Sequence, residues 1–248
     1  MQLEEFFKIH NRAALGFSGG VDSAYLLYAG LHYGADIRPY FVKTAFQPDF
    51  ELRDAKRLAE ELKTELTVIE YDVLSEPIIA NNPENRCYYC KRRLFGTLRE
   101  HALRDGYEVF LDGTNASDEA SDRPGMRAIE ELSVLSPLRE CGISKMELRR
   151  LSKEAGLFTW DKPAYACLAT RVPSGERITE ELLSKIETAE SLIYQMGFRD
   201  FRVRFFHGAA RLQLQEKQFM RAVELKGEII KALKPYFETV LLDLNGRK

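Results

Sequence analysis

What this 248-residue chain lacks closes off several functions before any motif is considered. No apolar run approaches the ~20 residues of a membrane-spanning helix. The opening stretch, Met1 to Lys8, is acidic and carries no apolar signal-peptide core, which points to the cytoplasm. No surplus of basic residues is present. Lys and Arg number 36 against 38 Asp and Glu, a net charge of −2, so no global field advertises nucleic acid. From Gly175 onward 13 Lys and Arg stand against 11 Asp and Glu, a net of +2 too mild to argue for RNA. Repeats and low-complexity tracts are missing. So are a carboxylate pair suited to glycoside hydrolysis and a Ser-His-Asp nucleophile arrangement. Cysteine is scarce at four residues, and in a cytoplasmic chain these point to ligands or catalytic groups rather than disulfides. The rest, 45% hydrophobic and 30% charged, describes a soluble protein able to bury a core in one large or two modest domains.

Among the residues present, Phe17-Ser18-Gly19-Gly20-Val21-Asp22-Ser23 organises the chain. The apolar run Ala13 to Phe17 leads in as a buried strand, and Ala24 to Tyr33 follows with helical spacing of Leu26, Leu27 and Leu31. The glycines permit close backbone approach, the serines add hydroxyls, and the helix start adds free N–H groups and partial positive charge. Such a strand–turn–helix binds phosphate or pyrophosphate. It is neither a Walker A loop, since no Gly-Lys-Ser/Thr follows, nor a three-glycine dinucleotide fingerprint. The stretch Ser18 to Ser23 resembles the signature of the PP-loop ATP pyrophosphatases, which split ATP into AMP and pyrophosphate. That resemblance implies a magnesium role for Asp22.

Further strands are expected at Ile37 to Thr44, Leu66 to Ile69 and Val109 to Leu111, with a fifth at Leu132 to Leu138. Helices are expected at Met1 to His10, Asp49 to Lys63, Leu94 to Leu103 and Ser144 to Ala155, the last with a Ser144–Glu147 capping box. This alternation argues a parallel α/β sheet with ligands at the carboxyl ends of its strands. Asp112, Gly113, Thr114 and Asn115 form a polar turn at such an end, followed by Asp118. Val73 to Arg86 reads as a loop, and Trp160 to Gly175 as a long loop and boundary. That gives domains at 1–172 and 173–248. The second is a small α+β piece with helices at Thr179 to Met196 and Glu216 to Leu233, and strands at Phe201 to Phe206, Arg211 to Gln215 and Val240 to Leu242.

Cys87 and Cys90 lie at a loop-to-helix junction among Arg86, Lys91, Arg92 and Arg93, a setting that favours thiolate. Three uses compete: a redox pair, a zinc site completed by Cys141 or a histidine, or a [4Fe–4S] cluster sharing Cys167. Cys141 reads as structural.

Taken with the glycine loop, several stretches resemble the LarE family, the pyridinium-3,5-biscarboxylate mononucleotide sulfurtransferases of nickel-pincer nucleotide biosynthesis. They are Asn82-Pro83 with Arg86 to Lys91, Leu111 to Asn115, Arg123-Pro124-Gly125, Trp160 to Ala164 with Cys167-Leu168-Ala169, and Val240 to Gly246. The resemblance implies an adenine nucleotide alpha hydrolase-like Rossmann sheet and an enzyme that uses ATP and Mg²⁺ to adenylate a substrate carboxylate. Sulfur then displaces AMP to leave a thiocarboxylate. The family divides into members that sacrifice the sulfur of one cysteine, matching Cys167, and members with a [4Fe–4S] cluster on three. Cys87 and Cys90 place this chain with the latter. Ser18, Asp22 and Cys167 are the expected catalytic residues, with Ser18 to Ser23 and Asp112 to Asn115 holding nucleotide. Trp160, Arg171, Arg204 and Arg211 are expected to meet the phosphorylated pyridinium acceptor. The resemblance also implies a homo-oligomer. Enzymes that thiolate tRNA, which also combine a PP-loop with three cysteines, are the main alternative.

Overall fold

The computed structural model describes residues 1–118 and 124–247, so Arg123, one of the residues carrying the resemblance, lies outside the described set. In chain order the elements are α1 (Leu3–Ile9), β1 (Arg12–Gly16), α2 (Val21–His32), β2 (Asp36–Lys43), α3 (Asp49–Glu61), β3 (Thr67–Glu70), α4 (Pro77–Ala80), α5 (Arg86–Arg104) and β4 (Phe110–Leu111). They continue with α6 (Pro124–Glu131), α7 (Pro137–Glu140), α8 (Lys145–Glu154), α9 (Glu180–Gln195), β5 (Arg202–Phe206), β6 (Ala209–Gln213), α10 (Phe219–Glu224), α11 (Lys226–Leu233) and β7 (Val240–Leu242). The chain divides into two compact units, Met1–Val73 with Asn85–Tyr165, and Leu74–Glu84 with Ala166–Lys248.

In the first unit four parallel strands stand in the order β3-β2-β1-β4. Successive side chains of a strand point to opposite faces, and this sheet buries both. Ala13, Leu15, Ile37 and Phe41 join Phe6, Phe7, Leu26, Leu27, Leu58 and Leu148 on one face. Ala14 and Tyr40 join Leu98, Ala102, Tyr107 and Phe110 on the other. The short apolar strands of the sequence are therefore the middle layer between two sets of helices, and β1 delivers its carboxyl end directly to Phe17 and Ser18.

In the second unit β5 and β6 form an antiparallel hairpin and β7 joins β6 in parallel. His207 and Gly208 close the hairpin with φ of 47° and 81°, the two-positive-φ turn whose twist matches that of the flanking strands. Leu183, Ile186, Ala189 and Ile193 form the buried stripe of α9 at helical spacing.

Four elements differ from the sequence expectation. Leu132 to Leu138 is not a strand: Ser133 takes φ 54°, Pro137 opens α7, and only Leu135 bridges to Leu111. α5 starts at Arg86 rather than Leu94, so Cys87 and Cys90 lie within its first turns. The Val73 to Arg86 stretch holds a 3-10 turn at Val73–Ser75 and the short α4. The Glu216 to Leu233 helix is split at Leu225, which ends α10 and precedes α11. Ser144 caps α8 through the Glu147 N–H, while the Glu147 carboxylate turns to Arg150 instead of completing a capping box.

Candidate functional site

The glycine loop closes on its own hydroxyls. The Ser18 and Ser23 oxygens lie 3.2 Å apart, the Gly20 N–H donates to Ser18 Oγ at 3.4 Å, and Ser23 Oγ donates to the Gly20 carbonyl at 3.3 Å. Gly19 is obligatory here. Its φ is +68°, and a Cβ would sit 3.0 Å from the Ala55 nitrogen and 3.1 Å from the Glu51 carbonyl of α3. Gly20 caps α2, so the first amides of a 12-residue helix open onto the loop.

Asp22, at the second position of α2, accepts from Asn115 Nδ2 at 3.0 Å and from Lys145 Nζ at 2.6 Å. Asn115 is fixed in turn by Asp118, whose Oδ2 accepts its side chain at 2.8 Å and its backbone N–H at 3.1 Å. The β4 turn rests on α2 itself: a Cβ on Gly113 would meet the Ser23 nitrogen at 3.0 Å and the Asp22 Cβ at 3.2 Å. Asp112 is buried and accepts from the Thr114 N–H at 3.1 Å, the Thr114 hydroxyl and Ser136 Oγ at 2.7 Å. It shapes the turn that presents Asn115.

Lys145, Lys162, Asp54 and Ser136 were absent from the sequence-derived site. Lys145 carried a signal. It is the first residue of α8, where the helix dipole disfavours a cation, and such a placement asks for a nearby carboxylate. Lys162 lay in plain view inside the Trp160 to Ala164 stretch. It donates to Asp54 Oδ2 at 2.6 Å and to the Gly19 carbonyl at 3.1 Å. Trp160 packs beneath the Lys153 ammonium, 4.6 Å from its ring centroid.

Cys87 is exposed and Cys90 half-buried, one turn apart on α5, with the buried Arg86 guanidinium 3.7 Å from Cys87 Sγ. Cys141 differs: burial holds its thiol above the ordinary value, as suits a packing residue. Among the described residues no three His, Cys, Asp or Glu side chains are grouped to hold a metal ion.

In the second unit Cys167 precedes the 3-10 turn Leu168–Arg171. Arg171 is 1% exposed. Its guanidinium donates to both Glu190 oxygens, at 2.8 and 3.2 Å, and to the carbonyls of Ala166 and Cys167, at 2.8 and 3.3 Å. It thereby fixes the backbone that carries the thiol. Arg204 and Arg211 stand directly opposite each other on β5 and β6. Arg204 donates to the Thr170 carbonyl at 2.6 Å; burial, then the charges of Arg171, Arg211 and Arg247, lower its pKa. Arg211 Nε is buried without a hydrogen-bond partner among the described residues, its Asp243 carboxylate lying 3.6 Å away.

No family-wide sequence model matches the chain. It is 32% identical, over 95% of its length and 86% of the relative's, to the pyridinium-3,5-bisthiocarboxylic acid mononucleotide synthase of Lactiplantibacillus plantarum. The chain belongs to that synthase family. An uncharacterized protein of Synechocystis is 39% identical over 98% of the chain and 92% of its own length. The tRNA-specific 2-thiouridylase of Thermotoga petrophila is 26% identical over 59% of the chain and 52% of its own length. As a synthase-family member the protein is an enzyme, a sulfurtransferase of the PP-loop superfamily. Its parallel sheet is the adenine nucleotide alpha hydrolase-like α/β fold that the resemblance implied. No helix among the described residues is long and apolar enough to cross a membrane.

Proposed function

We propose that the protein adenylates a carboxylate of pyridinium-3,5-biscarboxylic acid mononucleotide with ATP and converts it to a thiocarboxylate for a nickel-pincer nucleotide cofactor. The observation that carries this is the loop from Ser18 to Ser23, whose amides and hydroxyls gather at a helix start with the Asp22 carboxylate beside them. In a chain of this family such a loop suits the triphosphate of ATP. A cavity of about 160 Å³ lies beside it, lined by Gly16, Phe17, Phe41, Val42 and Phe95.

Asp22 fits Mg²⁺. The ion is usually held by one or two carboxylates plus substrate phosphates, and Asp22, partly exposed at the loop, would take it in exchange for its bond to Lys145. Bound there, Mg²⁺ would neutralise charge on the departing pyrophosphate. The turn from Asp112 to Asn115 holds Asp22 in place and faces the nucleotide. Arg204 and Arg211 are assigned to the acceptor phosphate, with Trp160 shaping the acceptor pocket and Arg171 bracing the Cys167 segment. Like charges placed opposite each other on a hairpin are destabilising, and an anion between them removes the penalty. Cys87, Cys90 and Cys167 are assigned to a [4Fe–4S] cluster. Cys87 and Cys90, one turn apart at the start of α5, supply the first two ligands in this reading. When bound, the cluster would supply the sulfur. We place the enzyme in the cytoplasm, as a homo-oligomer. A second use of Cys167, surrender of its own sulfur, needs no further ligand. Thiolation of tRNA has less support, since the tRNA thiouridylase matches over only 52% of its length and the net charge is −2.

The test is anaerobic incubation with ATP, Mg²⁺ and the pyridinium acceptor, together with iron and acid-labile sulfide assays. AMP, pyrophosphate and thiocarboxylate are expected in step. Absence of AMP with an intact protein removes adenylation. Absence of iron, with one sulfur lost per chain after turnover, assigns the sulfur to Cys167 itself. Affinity for tRNA that falls steeply with salt transfers the activity to RNA.

A further inference from the structure

Lys162 lies in the Trp160 to Ala164 stretch, and the proposed reaction gives it no part. Its surroundings do. The ammonium donates at once to the Gly19 carbonyl, at 3.1 Å, and to Asp54 Oδ2, at 2.6 Å, with the Phe50 ring centroid 5.3 Å away. Phe50 and Asp54 both lie on α3, the helix whose backbone a Cβ on Gly19 would meet at 3.0 Å. The lysine therefore joins the loop to α3 at the residue held at φ +68°.

The backbone of Lys162 is itself held. Arg149 of α8 donates to the Trp160 carbonyl at 2.6 Å and to the Lys162 carbonyl at 2.7 Å. Pro163 follows, and a residue before proline is restricted to extended angles, which stiffens the base from which the side chain reaches. Four residues before Arg149 on the same helix, Lys145 holds Asp22. One helix thus supports the loop through two lysines, one directly and one through the Trp160 to Lys162 segment.

The consequence for the loop follows from peptide geometry. In a trans peptide the C=O and the next N–H point in opposite directions. A Gly19 carbonyl turned toward Lys162 places the Gly20 N–H on the other side, where it meets Ser18 Oγ, among the groups that would receive phosphate. A glycine pair has little intrinsic preference for this orientation. Resting on the phosphate-binding use of the loop proposed above, we propose that Lys162 is a positioning residue: locked onto Asp54, it sets the Gly19–Gly20 peptide so that the loop's amides face the anion.

This differs from an ammonium that binds phosphate by its own charge, and Asp54 separates the two by sign. If Lys162 acts through the peptide, Asp54→Asn loosens the lysine from Gly19 and weakens anion binding. If it acts as a free charge, the same change releases the ammonium and strengthens binding. The experiment is calorimetric titration of the wild type, Lys162→Met, Lys162→Arg and Asp54→Asn with magnesium pyrophosphate, with melting temperatures recorded in parallel. The expected result is binding by the wild type and a loss of about tenfold in Lys162→Met, the size of one charge-assisted hydrogen bond. A smaller loss in the same direction is expected for Asp54→Asn, with partial rescue by Lys162→Arg. Unchanged affinity in Lys162→Met, or tighter binding by Asp54→Asn, overturns the positioning role and leaves the phosphate-binding loop standing. No binding by the wild type overturns both. Should Lys162→Met fail to fold, the sign of the Asp54→Asn effect decides alone.

Discussion

The two units treat positive charge in opposite ways. Around the glycine loop every lysine meets a carboxylate: Lys145 with Asp22 at 2.6 Å, Lys162 with Asp54 at 2.6 Å. On the β5–β6 hairpin the arginines instead face one another, and the nearest carboxylate to Arg211 is 3.6 Å away. A balanced loop does not draw an anion by net charge. It offers aimed amides, with its Asp22 carboxylate already matched by Lys145. The arginine face, with only the longer Asp243 pairing, is the one to which the proposal assigns a single phosphate. The difference is what the proposed pair of ligands, a magnesium triphosphate and a phosphorylated acceptor, would ask for.

The sharpest way to separate the two is to remove the sulfur chemistry. Cys167→Ala is expected to abolish thiocarboxylate formation while pyrophosphate release stays within about threefold of wild type, since no loop group is touched. Loss of both products together would show that the thiol also supports activation. Next in size is the arginine face. Arg204→Gln and Arg211→Gln are each expected to raise KM for the acceptor by about tenfold or more with little change in KM for ATP, the cost of one hydrogen bond to a charged group. Thermal unfolding of Arg211→Gln is expected to give equal or greater stability, by up to about 1 kcal/mol, because a like-charge pair is relieved. A clear drop in its melting temperature would mean the pair is not strained.

Gly19→Ala tests the balanced side. The left-handed angle and the 3.0 Å approach to the Ala55 nitrogen predict a loss of about 1–2 kcal/mol in denaturant unfolding, together with lost nucleotide binding. An unchanged midpoint would show that the loop can reseat. The smallest effect concerns the frame beneath it. Burial pushes Tyr25 of α2 up to about 12, and burial with a bond to Asp105 or Asp36 raises Tyr40 and Tyr107. A phenol whose pKa is raised by folding contributes in full below its unfolded value near 10, and that contribution fades as pH climbs toward the folded value. Stability is therefore expected to fall above pH 10, and Tyr25→Phe to lessen the fall by up to about 1 kcal/mol at pH 11. Identical alkaline curves would show that Tyr25 ionises freely when folded.

Much of this arrangement could be read from residue order, because it rests on local signals. Ser18 to Ser23 declares its loop through glycines at a strand–helix turn, and the alternating apolar runs of the first unit give a parallel sheet buried on both faces. Elements that depend on distant partners were harder. Leu132 to Leu138 has the composition of a strand but not its angles, since Ser133 turns left-handed and Pro137 starts a helix. The start of α5 at Arg86 was hidden by Tyr88, Tyr89 and the cysteines, which carry little helical periodicity. Lys145 and Lys162 are ordinary lysines until folding brings them within 2.6 Å of carboxylates 123 and 108 positions away. The opposition of Arg204 and Arg211 required the hairpin register, which His207–Gly208 sets and composition does not reveal.

Cys87 is exposed and Cys90 stands three residues further along the same helix. Side chains so spaced lie about 5–6 Å apart at Cβ, while a disulfide draws them to about 3.5–4.5 Å. Bridging the two sulfurs therefore asks the first turns of α5 to tighten by about 1–2 Å at these positions. Oxidation of the pair would withdraw two candidate ligands together, and a mild reductant should return both.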